Sequence, residues 1–518
     1  MDTLTINTKK LISAAAQAGI EQTEIKGLDA TKTNTAVALS EMPLPVLEAL
    51  LRTGKLGQSA KQAIRRLLGD RVSDEEFDQE QKNLIKISNI MTRLVDDVEP
   101  TLEFELAGQT YPIFMTSCHV QQYMFGKILA ADFNISMTSD GTANVRKYLY
   151  LNEEAVATDD GVTIRTILAA KGLRPIKQDT IDRWKAGRAT VKKMHANDVG
   201  KQFICTGSAV KMSTNWWEPT VVLPKGYVGR VVIEPDMETQ ARNAYYEEAN
   251  VGYKYLQLAR CFSLDTKEYV YIDVENLKEY EYDTKANDRL VLPTDMKGVL
   301  TSLFNWNGSE GFGDIFNDRH GGVVVLAAGK PGVGKTLTAE VYAHIMQRPL
   351  YSIDLTELGT TVDKVEASLS TIFQRVTRWN AVLLLDEADI FMAERQKEEL
   401  ERSAIVGVFL RVLDRYKGTL FLTTNRTEVL DPAFASRITV KLDYPDLDLA
   451  RRTRIWELML EKADIKPEGS IEALASLDLN GRQIRNCVRL IRIIHPNAKT
   501  LPAETLESIA KMNVNTKS

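Results

Sequence analysis

Residues Gly329-Lys-Pro-Gly-Val-Gly334-Lys335-Thr336 follow directly on the apolar run Val323 to Ala328, and this junction constrains the chain more than any other stretch. The run reads as a buried strand, the loop has the spacing G-x-x-x-x-G-K-T, and Thr338-Ala-Glu-Val-Tyr-Ala-His continues as a helix. Strand, glycine turn and helix in that order gather backbone N–H groups at a helix N-terminus, where unpaired donors and the dipole hold phosphate. Gly329, Pro331, Gly332, Val333, Gly334 and Leu337 would form the cradle; Lys335 would reach the β- and γ-phosphates, and the Thr336 hydroxyl would ligate Mg²⁺. The pattern therefore points to a nucleoside triphosphate and its metal. A glycine-rich surface turn is the alternative.

Binding phosphate does not by itself hydrolyse it, and a second apolar run supplies acids. Ala381-Val-Leu-Leu-Leu-Asp386-Glu387 lies about fifty residues downstream and reads as a buried parallel strand delivering two carboxylates to its C-terminal edge. Asp386 is the expected Mg²⁺ partner and Glu387 the expected base; otherwise such a pair marks a solvated loop or a helix cap. A third run, Gly418 to Thr424, ends in Asn425, whose amide both donates and accepts, as positioning a water requires. Arg437, in Ala435-Ser436-Arg437-Ile438, is a candidate for stabilising charge on a transferring γ-phosphate, an effect worth about 10³ to 10⁵ in rate where arginine fingers act. A surface arginine capping a helix is the other reading.

With these parts in order, the chain resembles the AAA-type (AAA+) ATPases over roughly residues 285–500. The resemblance rests on Walker A at 329–336, Walker B at 381–387, a sensor-1 asparagine at 425, the Ser436-Arg437 finger and Asn480-Gly481-Arg482-Gln-Ile-Arg485-Asn486. It implies ATP hydrolysis with Mg²⁺ in a homo-oligomeric ring, usually a hexamer, in which Arg437 acts on ATP held by the neighbouring subunit. It also implies a second sensor on a helical lid, matched by Arg482, with Arg485 as the alternative. Asp314 and Ile315, in the polar segment Asn307 to Gly322, are candidates for backbone contact with adenine, a plain loop being the alternative. Members that thread polypeptide place an aromatic residue and a glycine in a pore loop after the second strand. The corresponding stretch here, Leu355 to Glu366, has no aromatic and offers Leu358 or Val362 instead. Threading loses its usual grip; a power-stroke remodeller of a protein client does not.

The expected fold class follows: a doubly wound parallel α/β core with a C-terminal helical lid, preceded by a mixed α+β domain and an N-terminal helical region. Apolar runs at 323, 350, 382 and 419 alternate with helix-like stretches, as in such sheets. The expected divisions are 1–98 helical, 99–285 mixed, 286–447 the ATPase core and 448–518 the lid, and a chain of 518 residues has room for them. In the first segment, Val46 to Leu51, Ala60 to Leu68 and Glu75 to Leu94 carry helical periodicity, and Ser73-Asp-Glu-Glu signals a helix start. In the second, 101–112, 201–207, 220–224, 228–235 and 268–274 read as strands.

Composition removes some functions. No apolar run approaches the roughly 18 residues that cross a bilayer, and the opening Met1-Asp-Thr-Leu-Thr-Ile-Asn lacks a secretory layout. A cytoplasmic protein without a membrane partner is expected. Cys118, Cys205, Cys261 and Cys487 lack metal-ligand spacing and read as buried thiols. A net charge of −5 argues against a globally basic coat, yet Lys171 to Lys201 holds nine lysines and arginines against three aspartates, with Trp184 among them. That stretch supports an alternative function, a nucleic-acid-associated motor or loader in which Trp184 stacks a base; a solvated helical face is the plainer reading. Trp216-Trp217 is either a core pair or a grip on a partner.

Overall fold

The computed structural model describes residues 3–52, 72–95, 100–124, 126–136, 144–157, 161–213, 220–235, 255–305, 322–359, 361–389, 400–425 and 432–514, with Leu56, Ile64 and Leu68 besides. Asp314, Ile315, Trp216, Trp217 and most of Ala60 to Leu68 lie outside the described residues.

Five strands form one parallel sheet: β1 (Val323–Gly329), β2 (Leu350–Ile353), β3 (Val382–Leu385), β4 (Thr419–Thr424) and β5 (Val440–Tyr444). Their spatial order is β2-β3-β4-β1-β5, all pairs parallel. β1, β3 and β4 are buried along their whole length, which is why they read as unbroken apolar runs. β5 is an edge strand with the alternating sequence Val-Lys-Leu-Asp-Tyr, and the run-based reading passed over it.

Side chains leave this sheet alternately to two sides. Leu326, Leu383, Leu385, Leu420 and Leu422 pack under helices α2 (Val362–Arg378) and α3 (Leu400–Leu413), through Leu369, Phe373, Phe409 and Leu410. Val325, Ala327, Val382, Leu384 and Phe421 pack on the other side with Ala339, Tyr342 and Ala343 of α1 (Lys335–Ile345), joined by Leu300 of the helix Thr294–Asn305. After β5 come α4 (Leu449–Lys462), a short helix Glu472–Ser476, α5 (Gly481–Ile494) and the helix Ala503–Val514. They surround a core of their own that includes Trp456, Leu460, Ile484, Ile491 and Leu506. Asp448 caps α4 by accepting from the Arg451 amide, and Asn480 with Gln483 forms a capping box on α5.

The first segment, expected to be mostly helical, also holds a pair of strands. Thr3–Asn7 pairs antiparallel with Asn34–Ala38, beside helices Thr8–Gln17 and Leu44–Arg52. Ser73 does start a helix, with a capping box to Glu76, but that helix ends at Asp78 and a second begins at Leu84, capped by Asn83. Periodicity alone ran the two together. Phe77, Leu84, Ile87 and Met91 from this pair join the core of a five-stranded antiparallel sheet whose long members are Gln109–Tyr123, Gly126–Ser136 and Asn144–Asn152. A second antiparallel sheet, of seven strands, spans Gln202–Cys205 to Leu277–Glu279. The helix Gln178–Asn197 lies against both sheets' strands and buries Trp184, whose indole N–H donates to the Tyr255 carbonyl at 2.8 Å and whose ring meets Phe114 edge-on. Trp184 is therefore no base-stacking platform. Among its basic neighbours, Arg174 pairs with Glu103, Arg183 donates to Gln109, and Lys201 pairs with Asp198.

The seven-stranded sheet is fused to the parallel core. Val232, Phe262 and Leu264 share one apolar cluster with Tyr351, Phe373 and Trp379. Phe262 lies 5.4 Å from Trp379 and 5.8 Å from Tyr351, centroid to centroid. At the seam Glu234, 2% exposed, faces Arg375 at 3.4 Å and Arg378 at 3.1 Å, both on α2. Glu234→Ala leaves the half-buried Arg375 without its carboxylate, and breaking a buried pair from one side costs about 3 to 5 kcal/mol. The variant is expected to unfold at clearly lower urea than wild type, with Glu234→Gln intermediate; an unchanged midpoint would show that the seam does not depend on this charge.

No helix among the described residues is long and apolar enough to cross a membrane. The four cysteines are buried and none forms a disulfide.

Candidate active site

The loop after β1 bends through glycines at positive φ, a conformation that L side chains rarely adopt. Gly334 (φ +109) is the residue before α1, and Gly332 (φ +80) is so close to the lid that a Cβ there would stand 2.7 Å from Asn480 Oδ1. The Gly481 amide donates to the Gly332 carbonyl at 2.9 Å, so lid and loop touch directly. α1 then begins at Lys335, which is 7% exposed. Its ammonium donates to the carbonyls of Gly329 (2.6 Å) and Lys330 (2.8 Å) and to Asn425 Oδ1 (3.0 Å), using its three donors. Burial lowers the Lys335 pKa, helped by the charge of Arg482, while Asp386, Asp389 and Glu387 pull the other way.

The acids stand where β3 ends. Thr336 Oγ1 lies 3.2 and 3.3 Å from the two Asp386 carboxylate oxygens, which brings a hydroxyl from α1 and a carboxylate from β3 to one point. A hard-oxygen pair of this kind fits Mg²⁺, which takes one or two protein oxygens and completes its shell with phosphate and water. No group of three His, Cys, Asp or Glu that would cage a metal occurs among the described residues, so phosphate oxygens and water would have to supply the rest. Glu387 has φ +54, a left-handed conformation costing an L-residue roughly 1 to 2 kcal/mol. Its amide donates to Thr423 Oγ1 at 2.9 Å, the Ala388 amide donates to the Thr423 carbonyl at 2.9 Å, and the Thr423 hydroxyl donates to Asp386. Asp389 accepts from the Thr424 hydroxyl and, at 3.2 Å, from the Asn425 amide.

One cavity of about 440 Å³ is lined by Pro331, Gly332, Val333, Gly334, Lys335, Thr336 and Leu337, by Asp386, Glu387 and Asn425, and by both Arg482 and Arg485. Of the residues singled out in the sequence, Gly329 sits just behind the lining as the end of β1, and Asp314 and Ile315 are outside the described residues. Arg437 stands apart: it grips Asp414 with Nε and Nη2 at 2.6 and 2.9 Å and caps the helix Pro432–Ala435 through the Ala433 carbonyl. Leu358, proposed as a pore-loop residue, is 1% exposed and packs in the core, so it is not free to grip a client. The sequence reading missed the apolar wall of the cavity. Leu290, Val291 and Leu292 come from the turn before the helix Thr294–Asn305, and Ile455, Leu458 and Met459 from α4. The Leu-Val-Leu run of the first group was visible; the α4 residues merge into an ordinary helical stripe.

Fold and site together define a nucleotide-binding protein of the phosphate-loop class. Residues 325–446 match the model of the family described as ATPase family associated with various cellular activities (AAA), so the chain carries an AAA domain. Over 200 residues it is 28% identical to a 26S proteasome regulatory subunit homolog of Methanothermobacter thermautotrophicus, covering 36% of this chain and 54% of that protein. It is 33% identical over 172 residues to a cell division control protein 48 homolog of Arabidopsis thaliana (31% and 20% covered), and 23% identical over 186 residues to a mitochondrial sorting homolog of Caenorhabditis elegans (34% and 54%). The chain thus spans about half, or less, of the length of the relatives it matches.

Loop and lid contact at Gly332 yields a comparison. Gly332→Ala incurs left-handed strain of about 1 to 2 kcal/mol plus the clash with Asn480. Gly226→Ala, at φ +84 with open space around it, incurs the strain alone. The first substitution is expected to lower the thermal midpoint further than the second; equal losses would remove the lid contact from this description.

Proposed function

We propose that the chain is a Mg²⁺-dependent ATPase that assembles into a ring, a hexamer in the usual family arrangement, and remodels a protein or protein complex. The observation that carries this reading is the convergence of Lys335, Thr336, Asp386, Glu387, Asn425 and Arg482 on one cavity with an apolar wall. In it the wall of Leu290 to Leu292 and Met459 takes the base, and the loop amides take the phosphates. Mg²⁺, held by Thr336 and Asp386, would neutralise charge on the β- and γ-phosphate oxygens. Glu387 accepts the proton of the attacking water as its oxygen bonds to the γ-phosphorus and the bond to the β-γ bridging oxygen breaks. Asn425, tied to Lys335, orients that water against the γ-phosphate.

Arg437 supports action between subunits, because it lies outside its own chain's cavity lining and is held on the surface by Asp414. Lid residues of α4 and α5 form part of the wall, so a change in nucleotide would move the lid against the sheet. The relatives named as a proteasome regulatory subunit and as a cell division control protein support a protein client. The nucleic-acid alternative loses its stacking residue, since Trp184 is in the core.

Glu387→Gln is expected to keep ATP binding and lose turnover by about 10² to 10⁴, the usual share of a general base. Normal turnover in that variant would contradict the assignment. Arg437→Ala should lose about 10³ or more, and titrating it with Lys335→Ala subunits should restore part of the activity. Absence of rescue at every ratio would exclude action in trans.

A further inference from the structure

The ATPase reading leaves one buried side chain of the cavity unassigned. Thr423 is 2% exposed, lines the cavity, and is the penultimate residue of β4. The register of β3 against β4 pairs Leu385 with Leu422, so the next positions, Asp386 and Thr423, face each other where the ladder ends. There the threonine hydroxyl uses both of its capacities on the acidic turn: it donates to the Asp386 carboxylate and accepts from the Glu387 amide at 2.9 Å. The Thr423 carbonyl takes the following amide, Ala388, at 2.9 Å. The bond to the Glu387 amide matters because Glu387 stands at φ +54, a conformation that persists only where neighbours over-determine it. Thr424, pointing to the opposite side, makes the parallel contact to Asp389, which also holds the Asn425 amide.

We propose that Thr423 is a positioning residue for ATP hydrolysis: its hydroxyl orients the Asp386 carboxylate toward Thr336 and locks the left-handed turn that sets the place of Glu387. Valine has the same shape without the hydroxyl, and would leave the Glu387 amide unpartnered and the Asp386 carboxylate with the Thr336 hydroxyl alone. Serine keeps both hydrogen bonds. The role rests on the ATPase reading above, and it differs from a packing role because it separates turnover and Mg²⁺ dependence from the KM for ATP at saturating Mg²⁺.

The test compares full-length wild type with Thr423→Val and Thr423→Ser in steady-state ATPase assays across a Mg²⁺ titration. Thermal midpoints with ADP, with and without Mg²⁺, serve as a readout independent of turnover. Thr423→Val is expected to lower kcat about 10- to 100-fold, the loss of one hydrogen bond to a charged group, with KM for ATP within about threefold. It should also need more Mg²⁺ for half-maximal turnover and lose most of the Mg²⁺-dependent rise in midpoint that ADP gives wild type. Thr423→Ser should stay within about threefold of wild type on every measure. Should Thr423→Val fail to fold, Thr423→Cys and Thr423→Ala replace it, with kcat expected to fall in the order Ser, Cys, Ala. Wild-type kcat and Mg²⁺ dependence in the hydroxyl-free variants, or a loss confined to KM, would overturn the inference alone. A wild type that turns over no ATP would defeat the ATPase reading and this inference with it.

Discussion

The parallel pairing of β3 with β4 is the constraint on which the site depends. Leu385 opposite Leu422 fixes which residues emerge together at the carboxyl edge, and a slip of one position would turn every side chain to the other face. With that register the acids Asp386 and Glu387 meet Thr423, Asp389 meets Thr424 and Asn425, and Lys335 from α1 reaches Asn425 at 3.0 Å. Complete burial of both strands enforces the register, since their apolar side chains supply both cores that sandwich the sheet. Packing energy in the sheet is thereby converted into the placement of a few polar atoms at its rim.

What surrounds the sheet is unequal in stiffness by construction. The seven-stranded sheet shares an apolar cluster with α2 and adds the Glu234, Arg375 and Arg378 contact, whereas the lid closes around a separate core centred on Trp456. A shared core resists relative motion, because displaced side chains leave voids that close packing does not tolerate. Separate cores joined by a few polar contacts do not. The C-terminal helices thus keep a core apart from the sheet's, whereas the seven-stranded sheet packs into the same cluster as α2.

Legibility in the sequence followed burial. The strands that are buried on both faces, β1, β3 and β4, announce themselves as apolar runs, and most polar residues lining the cavity follow them in the chain. β5 was not legible because an edge strand alternates, and Val-Lys-Leu-Asp-Tyr resembles many loops. The pairing of Thr3–Asn7 with Asn34–Ala38 joins segments far apart in the chain, which local periodicity does not encode. Trp184 misled for the opposite reason: its sequence neighbours are basic, but every third or fourth position of its helix turns inward, and Trp184, Val191 and Met194 belong to that buried side. Of the site itself, the phosphate loop and the acids were legible, while Ile455, Leu458 and Met459 were not, since a residue facing a cavity and one facing a core obey the same periodicity.

Where loop and lid meet, consecutive residues serve both. Asn480 Oδ1 is engaged with the Gln483 amide as the cap of α5, the Gly481 amide is spent on the Gly332 carbonyl, and Arg482 then projects into the cavity wall. Three consecutive residues therefore start the lid helix, tie it to the phosphate loop and present a cation to the cavity. A shift of the loop on exchange of triphosphate for diphosphate would act on the N-terminus of α5 at its first turn, where a rigid helix of fourteen residues carries a small displacement to its far end. The Gly481 to Gly332 hydrogen bond joins the loop directly to that first turn.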